Sequence, residues 1–230
     1  MASNRGGVSA VPVSNRARLR RAREELYRGI ILDAAESIFA EHGFGAAKMQ
    51  DVATVAKVST STVYGLFEGK EALFDAVHAR RGLELLAAIR DQPSALSEPL
   101  DRLLGGVAAY AGYLMEHPDY LRMLSHVNAW ADLRLLESQG QVDTSQRGMT
   151  LVSRAFARGI AEGVFVAEDP ELMTRLMHAA HQVRLLDWLA QGMRVPPAEV
   201  VRRLQRELVC MFCPPDRIVA LLTARALLDP

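Results

Sequence analysis

Residues 56–67, AKVSTSTVYGLF, are the stretch that decides the fold. They follow the segment Lys48–Ala56, whose apolar residues fall on one face of a short predicted helix. Val58 and Ser59 make a tight connection, and Ser59 can cap a second short helix over Thr60–Leu66 by accepting a hydrogen bond from a backbone N–H. Two short helices joined by about three residues predict a helix-turn-helix unit.

The second helix of this unit has a small polar outer face. Its inward positions are Val63 and Phe67, and its outward positions are Thr60, Ser61, Tyr64 and Gly65. Small hydroxyl side chains can approach base edges in the major groove, and a tyrosine hydroxyl can reach a phosphate oxygen. These residue types predict contact with DNA. The alternatives are a half-buried helix aromatic for Tyr64 and a tolerated surface glycine for Gly65.

Lys70 adds positive charge beside the unit. It begins a longer predicted helix, Lys70 to about Arg90, and the free N–H groups at a helix N-terminus already favour an anion. We therefore predict a phosphate contact for Lys70, with a solvated surface lysine as the alternative. Thr62 is either a further DNA contact or a residue that only stabilises the short helix.

Apolar residues recur at helical spacing on both sides of the unit. Before it, a helix is predicted from about Arg16 to Gly43, a residue type that commonly ends helices. After it, Asp91–Pro99 forms a loop with two prolines. The later predicted helices are Leu100–Glu116, Pro118 to about Glu137, Thr144–Gly163, Pro170–Gly192, Pro196–Phe212 and Asp216–Leu228, with a loop at Gly140 and Asp143. No strand pattern occurs, so the predicted fold class is all-α.

These patterns divide the chain into three parts. Residues 1–23 are a disordered basic arm, residues 24–77 a helix-turn-helix DNA-binding domain, and residues 78–230 a helical domain for ligand binding and dimerisation. The arm contains six arginines and no acidic residue. This composition favours attraction to phosphates or a neighbouring minor groove, and it also fits a solvated tail.

Composition excludes several classes of protein. Half of the 230 residues are apolar, which allows a sizeable core, but no apolar run approaches the roughly 20 residues of a membrane span. No signal peptide precedes the first helix, and two cysteines are too few for a disulfide framework. We therefore expect a cytoplasmic protein that has no membrane partner.

No pattern in the chain indicates catalysis. A glycine-rich phosphate loop, a nucleophile elbow and paired carboxylates are all missing, so we expect neither an enzyme nor a cofactor. His178 and His181 could share a metal, but no further ligand completes a site, and a polar core or interface pair is the preferred interpretation. Cys210 and Cys213 lack the β-α-β setting of an oxidoreductase, which leaves semi-buried helix residues or a thiol switch.

The residues around the unit also resemble a known family. Residues 43–53, GFGAAKMQDVA, resemble the opening of the TetR-family DNA-binding domain, and residues 56–64 with Phe67 and Lys70–Leu73 resemble its second half. The resemblance covers about residues 25–77. It implies a homodimeric regulator, usually a repressor, that binds a palindromic operator in double-stranded DNA and is released by a small-molecule effector. The DNA-binding residues would be Lys48, Thr60, Ser61, Thr62, Tyr64, Gly65 and Lys70.

The chain departs from the family pattern at a few positions. Ala47 and Lys48 replace the usual Thr or Ser, so a helix cap is lost while Lys48 could supply a charged phosphate contact. Lys57 replaces the turn glycine, with a strain of about 1–2 kcal/mol if its φ is positive. Ser61 replaces a helix glycine and Leu66 a histidine. These departures support the alternative function, a helical interaction module that has lost DNA binding.

The second domain is larger than a bare dimerisation element requires. Side chains with large apolar bodies and some polar tips suit an adaptable ligand cavity between helices. The candidates are Tyr110, Tyr113, Met123, His126, Trp130 and Met177. We therefore expect a mostly apolar effector, neutral or weakly charged, that acts on DNA binding through the Lys70–Arg90 helix.

Two apolar patches suggest the dimer interface. Val152, Phe156 and Ile160 repeat on one face of the Thr144–Gly163 helix. Leu185, Trp188 and Leu189 form a second patch on the Pro170–Gly192 helix. Since a palindromic operator requires a two-fold dimer, we predict that these two helices pair across the interface.

Overall fold

The computed structural model describes residues 15–91, 98–126 and 139–228, and in these ranges it contains ten helices and no strand. The predicted all-α fold class is therefore confirmed. The helices are α1 (Asn15–Ala46), α2 (Met49–Val55), α3 (Thr60–Leu66), α4 (Lys70–Arg90), α5 (Pro99–Glu116), α6 (Pro118–His126), α7 (Gln139–Ala161), α8 (Pro170–Ala190), α9 (Pro197–Phe212) and α10 (Ile218–Ala224). Among them, none combines the length and apolar character that a bilayer-spanning helix needs.

Two predicted irregular segments are helical instead. Helix α1 begins at Asn15, next to the helix start predicted at about Arg16, so residues 15–23 of the predicted basic arm are helical; arginine is a good helix former, which explains this start. Helix α7 begins at Gln139 and includes Gly140 and Asp143, where we expected a loop. A single glycine costs a helix only about 1 kcal/mol, which neighbouring residues can offset. The part of the arm before Asn15 and the predicted helix beyond His126 lie outside the described residues.

The first four helices form one packed unit. Phe39 of α1 and Phe74 of α4 meet edge to face, with ring centroids 5.2 Å apart, and Phe44 packs on Phe74 at the same distance. Gly43 breaks the helical geometry of α1 with a φ of 70°, as its residue type predicted. Helix α4 runs without interruption across the predicted domain boundary at residue 77. It therefore connects the helix-turn-helix unit rigidly to the helices that follow.

Helices α5 to α10 pack around apolar residues that continue the core of the first four helices; this part is here called the second core. Phe156 of α7 is fully buried against Phe165 and Phe212, with ring centroids 5.2 and 5.0 Å away. Leu185 and Trp188 of α8 are also buried within the protomer. The predicted dimer patches are therefore wrong for these three residues. Helical periodicity identified their apolar faces correctly, but it does not distinguish a core-facing stripe from an interface.

A buried carboxylate joins α1 to α4. Glu36 lies among the buried residues of α1 and is only 5% exposed. Arg81 donates to both of its carboxylate oxygens, from Nε at 2.7 Å and from Nη2 at 2.9 Å. Arg80 donates to Glu36 at 3.2 Å and to Asp33 at 2.6 Å. The charge of Glu36 is thus compensated from two successive residues of α4.

The same network continues into α5. Arg81 Nη1 donates to Glu84 at 2.8 Å, and the Tyr113 hydroxyl of α5 donates to the same carboxylate oxygen at 2.5 Å. A chain of polar contacts therefore runs from α1 through α4 to the second core.

We expect loss of the arginine to destabilise the protein strongly. Arg81→Met leaves the Glu36 carboxylate buried with only the longer Arg80 contact, and breaking such a pair costs about 3–5 kcal/mol. The double variant Glu36→Met with Arg81→Met should regain most of this loss, because no charge is then stranded. Urea denaturation measures both effects. Arg90→Met, whose arginine side chain is 79% exposed, is the control and should change stability little. An Arg81→Met variant as stable as the wild type would show that the pair carries no structural role.

Candidate nucleic-acid interface

The connection between α2 and α3 has the geometry of a tight turn. Lys57 adopts a φ of 54°, the left-handed conformation that its position predicted, and the Val58 N–H donates to the Ala53 carbonyl at 3.0 Å. Lys48 is the N-cap residue of α2 and makes no side-chain cap, while Ala47 is buried. The turn therefore forms despite the substitutions at Ala47 and Lys57.

Ser59 organises the first turn of α3. Its Oγ accepts a hydrogen bond from the Thr62 N–H at 3.1 Å, which confirms the predicted cap. The hydroxyls of Ser61 and Thr62 lie 2.8 and 2.7 Å from the same oxygen. Thr62 is half-buried and its hydroxyl is bonded within the cap, which supports its stabilising role over a DNA contact, whereas the Ser61 side chain is exposed.

The two faces of α3 differ as the sequence predicted. Val63 is completely buried and Phe67, which follows the helix, is 4% exposed. On the outer side, Ser61 and Gly65 are exposed, Thr60 is half-buried and Tyr64 is 55% exposed. A Cβ on Gly65 would meet no atom within 4 Å. The outer face therefore consists of small, mainly polar residues and one projecting aromatic side chain.

Lys48 and Lys70 lie near this face in different environments. Lys48 is exposed at the start of α2. Lys70 is half-buried: its Nζ donates to the Gly45 carbonyl at 3.1 Å and lies 4.6 Å from the centre of the Phe44 ring. Lys70 therefore ties the end of α1 to the start of α4, a structural contact that the sequence did not reveal.

Arg28 of α1 is a second contact that sequence reasoning missed. Its guanidinium lies over the Phe67 ring, 4.6 Å from the ring centre. A cation above an aromatic face is attracted by the ring quadrupole. No sequence pattern pairs these two residues, because the contact depends on how α1 crosses the end of α3.

A small apolar cleft lies between α5, α6 and α8. Its lining residues are Tyr110, Leu114, Leu121, Leu124, Gln182, Leu185 and Leu186. The cavity measures about 20 Å³, which is room for about one water molecule. The leucines of α6 and the glutamine of α8 were not among the predicted ligand residues, since apolar helix residues have no signal that separates cleft from core.

Of the predicted ligand-binding residues that the structure describes, Tyr110 alone lines this cleft. Met123 and Met177 are buried in the core, and Tyr113 is bonded to Glu84. His126 lies elsewhere: its Nε2 donates to the Ala40 carbonyl of α1 at 3.0 Å. Trp130 lies outside the described residues.

Two histidines lie beside the cleft, His181 buried and His178 half-buried. The rings of His178 and His181 lie 6.0 and 5.9 Å from the ring of Tyr110. Burial lowers the pKa of His181 to about 4 and also lowers the pKa of His178, so both imidazoles are neutral at neutral pH. Within the described residues, no three His, Cys, Asp or Glu side chains come together as metal ligands.

The cysteine pair is divided between surface and core. Cys210 is exposed and Cys213 is buried. Burial raises the pKa of the Cys213 thiol to about 11, which keeps it protonated and unreactive at neutral pH. This environment fits the semi-buried helix interpretation of the pair.

Comparison with known proteins identifies the first domain. Residues 31–77 match the profile of a family described as bacterial regulatory proteins, tetR family. The chain is 29% identical over 143 residues to the HTH-type transcriptional repressor NicS of Pseudomonas putida, covering 60% of this chain and 65% of the relative. It is 30% identical over 100 residues to the HTH-type transcriptional repressor SCO4008 of Streptomyces coelicolor, covering 44% and 48%. The chain thus matches less than two thirds of the length of these relatives.

A solved structure extends the similarity to the fold as a whole. The fatty acid degradation regulator FadR of Bacillus halodurans superposes with a TM-score of 0.70 at 18% identity, over 79% of this chain and 94% of the other. The family match covers the helix-turn-helix unit of α2 and α3, and the structural similarity also covers the helices that follow it. Residues 31–77 therefore carry a DNA-binding domain of the tetR-family type, and the described helices share the fold of FadR.

Proposed function

We propose that the chain is a ligand-responsive repressor that binds a palindromic operator as a homodimer and is released by a small, mostly apolar, neutral effector. The observation that carries the proposal is the outer face of α3, a low polar surface with Tyr64 projecting from it. The names of NicS and SCO4008, both repressors, support repression over activation. DNA as the partner implies action in the cytoplasm.

The proposed DNA contacts follow from size and charge. Thr60, Ser61 and Gly65 let α3 approach base edges closely, because none carries a large side chain. Tyr64 and Lys48, both exposed, bind phosphate oxygens at the groove edges. Lys70 contributes charge near the same phosphates while it keeps its contact with Gly45.

The alternative of an interaction module without DNA binding has less support. It rests on the substitutions at Ala47, Lys57, Ser61 and Leu66. The turn geometry accommodates Lys57 and the Ser59 cap accommodates Ser61, while Ala47 is buried beside α2. Loss of DNA binding would therefore have to arise from the outer face alone, which retains its polar character.

An exposed apolar stripe on α8 supports dimerisation. Val183 is 71% exposed and Leu176 is 44% exposed, and residues seven apart lie on the same side of a helix. Ala179 and Ala180 lie between them. An apolar stripe of this kind on an isolated protomer marks a protein interface. We therefore place the two-fold contact on this face of α8.

The effector acts, in this proposal, by moving α6. The cleft has space for one water only, so an effector must separate the leucines of α6 from α8. Helix α6 is held to α4 by a hydrogen bond between Tyr120 and His78, and to α1 by the bond from His126 to Ala40. Displacement of α6 therefore reaches the DNA-binding unit. To convert a protein that is mostly competent to bind DNA into one that is mostly incompetent, the effector must bind the incompetent state about 5.5 kcal/mol more tightly.

The cleft chemistry supports a neutral effector. Its lining consists of leucines, one phenol and one amide. The neighbouring His181 is neutral at neutral pH because burial lowers its pKa to about 4. Nothing in this lining compensates a negative charge, and burying an unpaired carboxylate is costly.

We first expect the α3 variants to separate phosphate contacts from base contacts. Lys48→Gln should weaken binding to all sequences. The slope of the logarithm of the binding constant against the logarithm of the salt concentration, here called the salt slope, should fall by about 0.9 per protomer, because one phosphate contact is lost. Tyr64→Phe should weaken all binding by about 1.5–3 kcal/mol without changing the slope, since it removes one hydrogen bond from an uncharged hydroxyl to a charged phosphate. Ser61→Ala should instead change base preference. Fluorescence anisotropy over a salt series measures all three, and Ser37→Ala, exposed on α1, is the matched control. Unchanged binding in all three variants would favour the interaction module.

A charge on the α8 stripe should abolish the dimer. Val183→Glu places a carboxylate in the proposed apolar contact, so we expect monomers by multi-angle light scattering. Val219→Glu is the matched control: Val219 is similarly exposed, at 68%, but lies on α10, and its variant should remain dimeric. A dimeric Val183→Glu protein would exclude this face as the interface.

Paired probes of equal length should reveal the preference for a neutral effector. Decanol and decanoate differ only in whether the polar end is a hydroxyl or a carboxylate. We expect decanol to raise the melting temperature more than decanoate and to weaken DNA binding. His126→Ala should keep the thermal shift but reduce the effect on DNA, because it removes the α6–α1 hydrogen bond. Tighter binding of decanoate would contradict the proposed cleft chemistry.

A further inference from the structure

The first half of α1 stands clear of the rest of the protein. No residue of α1 before Ile31 is buried, and residues 15–30 span about 24 Å at the usual helical rise. This segment, here called the α1 extension, contains six arginines and two glutamates, a net charge of four. An isolated helix of this length is marginal in water, so a polyanionic partner would stabilise it.

Arg28 shows which side of the α1 extension faces α3. Its guanidinium lies over Phe67 at the end of α3. With about 3.6 residues per turn, Arg21 lies about 20° from Arg28 around the helix axis and Arg18 about 80°. Arg23 and Arg16 lie about 140° and 120° away, on the far side.

The remaining charged residues of the α1 extension reduce the positive charge on its α3 side only in part. Arg20 pairs with Glu24 at 3.6 Å, and Arg23 donates to the Tyr27 hydroxyl at 3.2 Å. Glu25 lies about 60° from Arg28, on the same side as Arg21. The α3 side of the extension thus carries two arginines and one opposing carboxylate.

A duplex in contact with α3 supplies phosphates where these arginines point. Arg21 and Arg18 lie about 10 and 15 Å beyond Arg28 along the helix, while the major groove is about 12 Å wide. The phosphate strands that border the groove therefore pass beside the end of α3, within reach of long arginine side chains. From this geometry we infer that the α1 extension is a second DNA contact, in which Arg18 and Arg21 bind phosphates flanking the groove that α3 enters. The inference rests on the proposed DNA-binding function.

An anionic membrane is the competing partner for the extension. Leu19, Leu26 and Ile30 are exposed on the side opposite to Arg28, as on a helix that lies on a membrane surface. The contact of Arg28 with Phe67 instead turns the side that carries Arg21 toward α3, which favours DNA as the partner.

A comparison of two double variants tests the inference in the full-length chain. Arg18→Gln with Arg21→Gln removes the two arginines on the α3 side, and Arg16→Gln with Arg23→Gln removes the same charge from the far side. Binding to a mixed-sequence duplex of about 40 base pairs, several helical turns, is followed by fluorescence anisotropy across a salt series. We expect the first pair to lower the salt slope by about 1.8 per protomer and the second to lower it by less than half as much. Glu25→Gln should strengthen binding.

The outcomes separate this inference from the proposed function. Equal slopes for the two double variants, whether both reduced or both unchanged, would overturn the specific contact. Wild-type protein that does not bind the duplex would overturn both proposals, whereas intact binding that is sensitive to Lys48→Gln but to neither arginine pair would overturn the extension alone. Circular dichroism checks that all variants keep equal helicity. Sedimentation with vesicles of phosphatidylserine and phosphatidylcholine is the second readout, and binding that requires Leu19 and Leu26 would assign the extension to membranes instead.

Discussion

The rest of the structure depends on the buried carboxylate of Glu36 and the arginines that compensate it. A lone charge at this depth would be very costly, so α1 and α4 can pack only in the register that brings Arg81 to both carboxylate oxygens. That register sets the angle between the helix-turn-helix unit and the second core. Because Glu84 and Tyr113 extend the network into α5, the two parts of the chain cannot rotate independently.

Helix α1 contacts three other helices, α3, α4 and α6. Its exposed first half carries the arginines, and Arg28 contacts the end of α3. Farther along, Glu36 meets α4 and Ala40 accepts the hydrogen bond from α6. A movement in the cleft between α6 and α8 can therefore be transmitted to α3 through few contacts. These contacts are two hydrogen bonds and a packed helix, and the transmission requires no unfolding.

Local features of the structure were largely predictable from the sequence. Propensities that act within one turn of chain explain the limits of α3 and α4, the Ser59 cap and the Gly43 break. The positive φ of Lys57 was predictable only from the family resemblance, which places a glycine there. The exposed face of α3 was predictable for the same reason, since Val63 and Phe67 define its buried side.

Features that depend on partners distant in sequence were not predictable. Glu36 lies at the edge of the apolar stripe of α1. Its burial is explained only by Arg80 and Arg81 of α4, which the fold places beside it. Phe156 has the periodicity of either a core or an interface residue, and packing against Phe165 and Phe212 decides between them. His126 resembled a ligand residue by type, but its contact with Ala40 depends on how α6 crosses α1.

Selection of bound duplexes from a random-sequence pool by the full-length protein tests the central claim most directly. If α3 reads DNA within a two-fold dimer, the recovered sequences should converge on an inverted repeat whose half-sites lie about one helical turn, or a multiple of it, apart. Convergence should weaken for Ser61→Ala at defined positions within each half-site. A recovered pool without sequence enrichment would contradict the account, because the outer face of α3 would then carry no base-reading function.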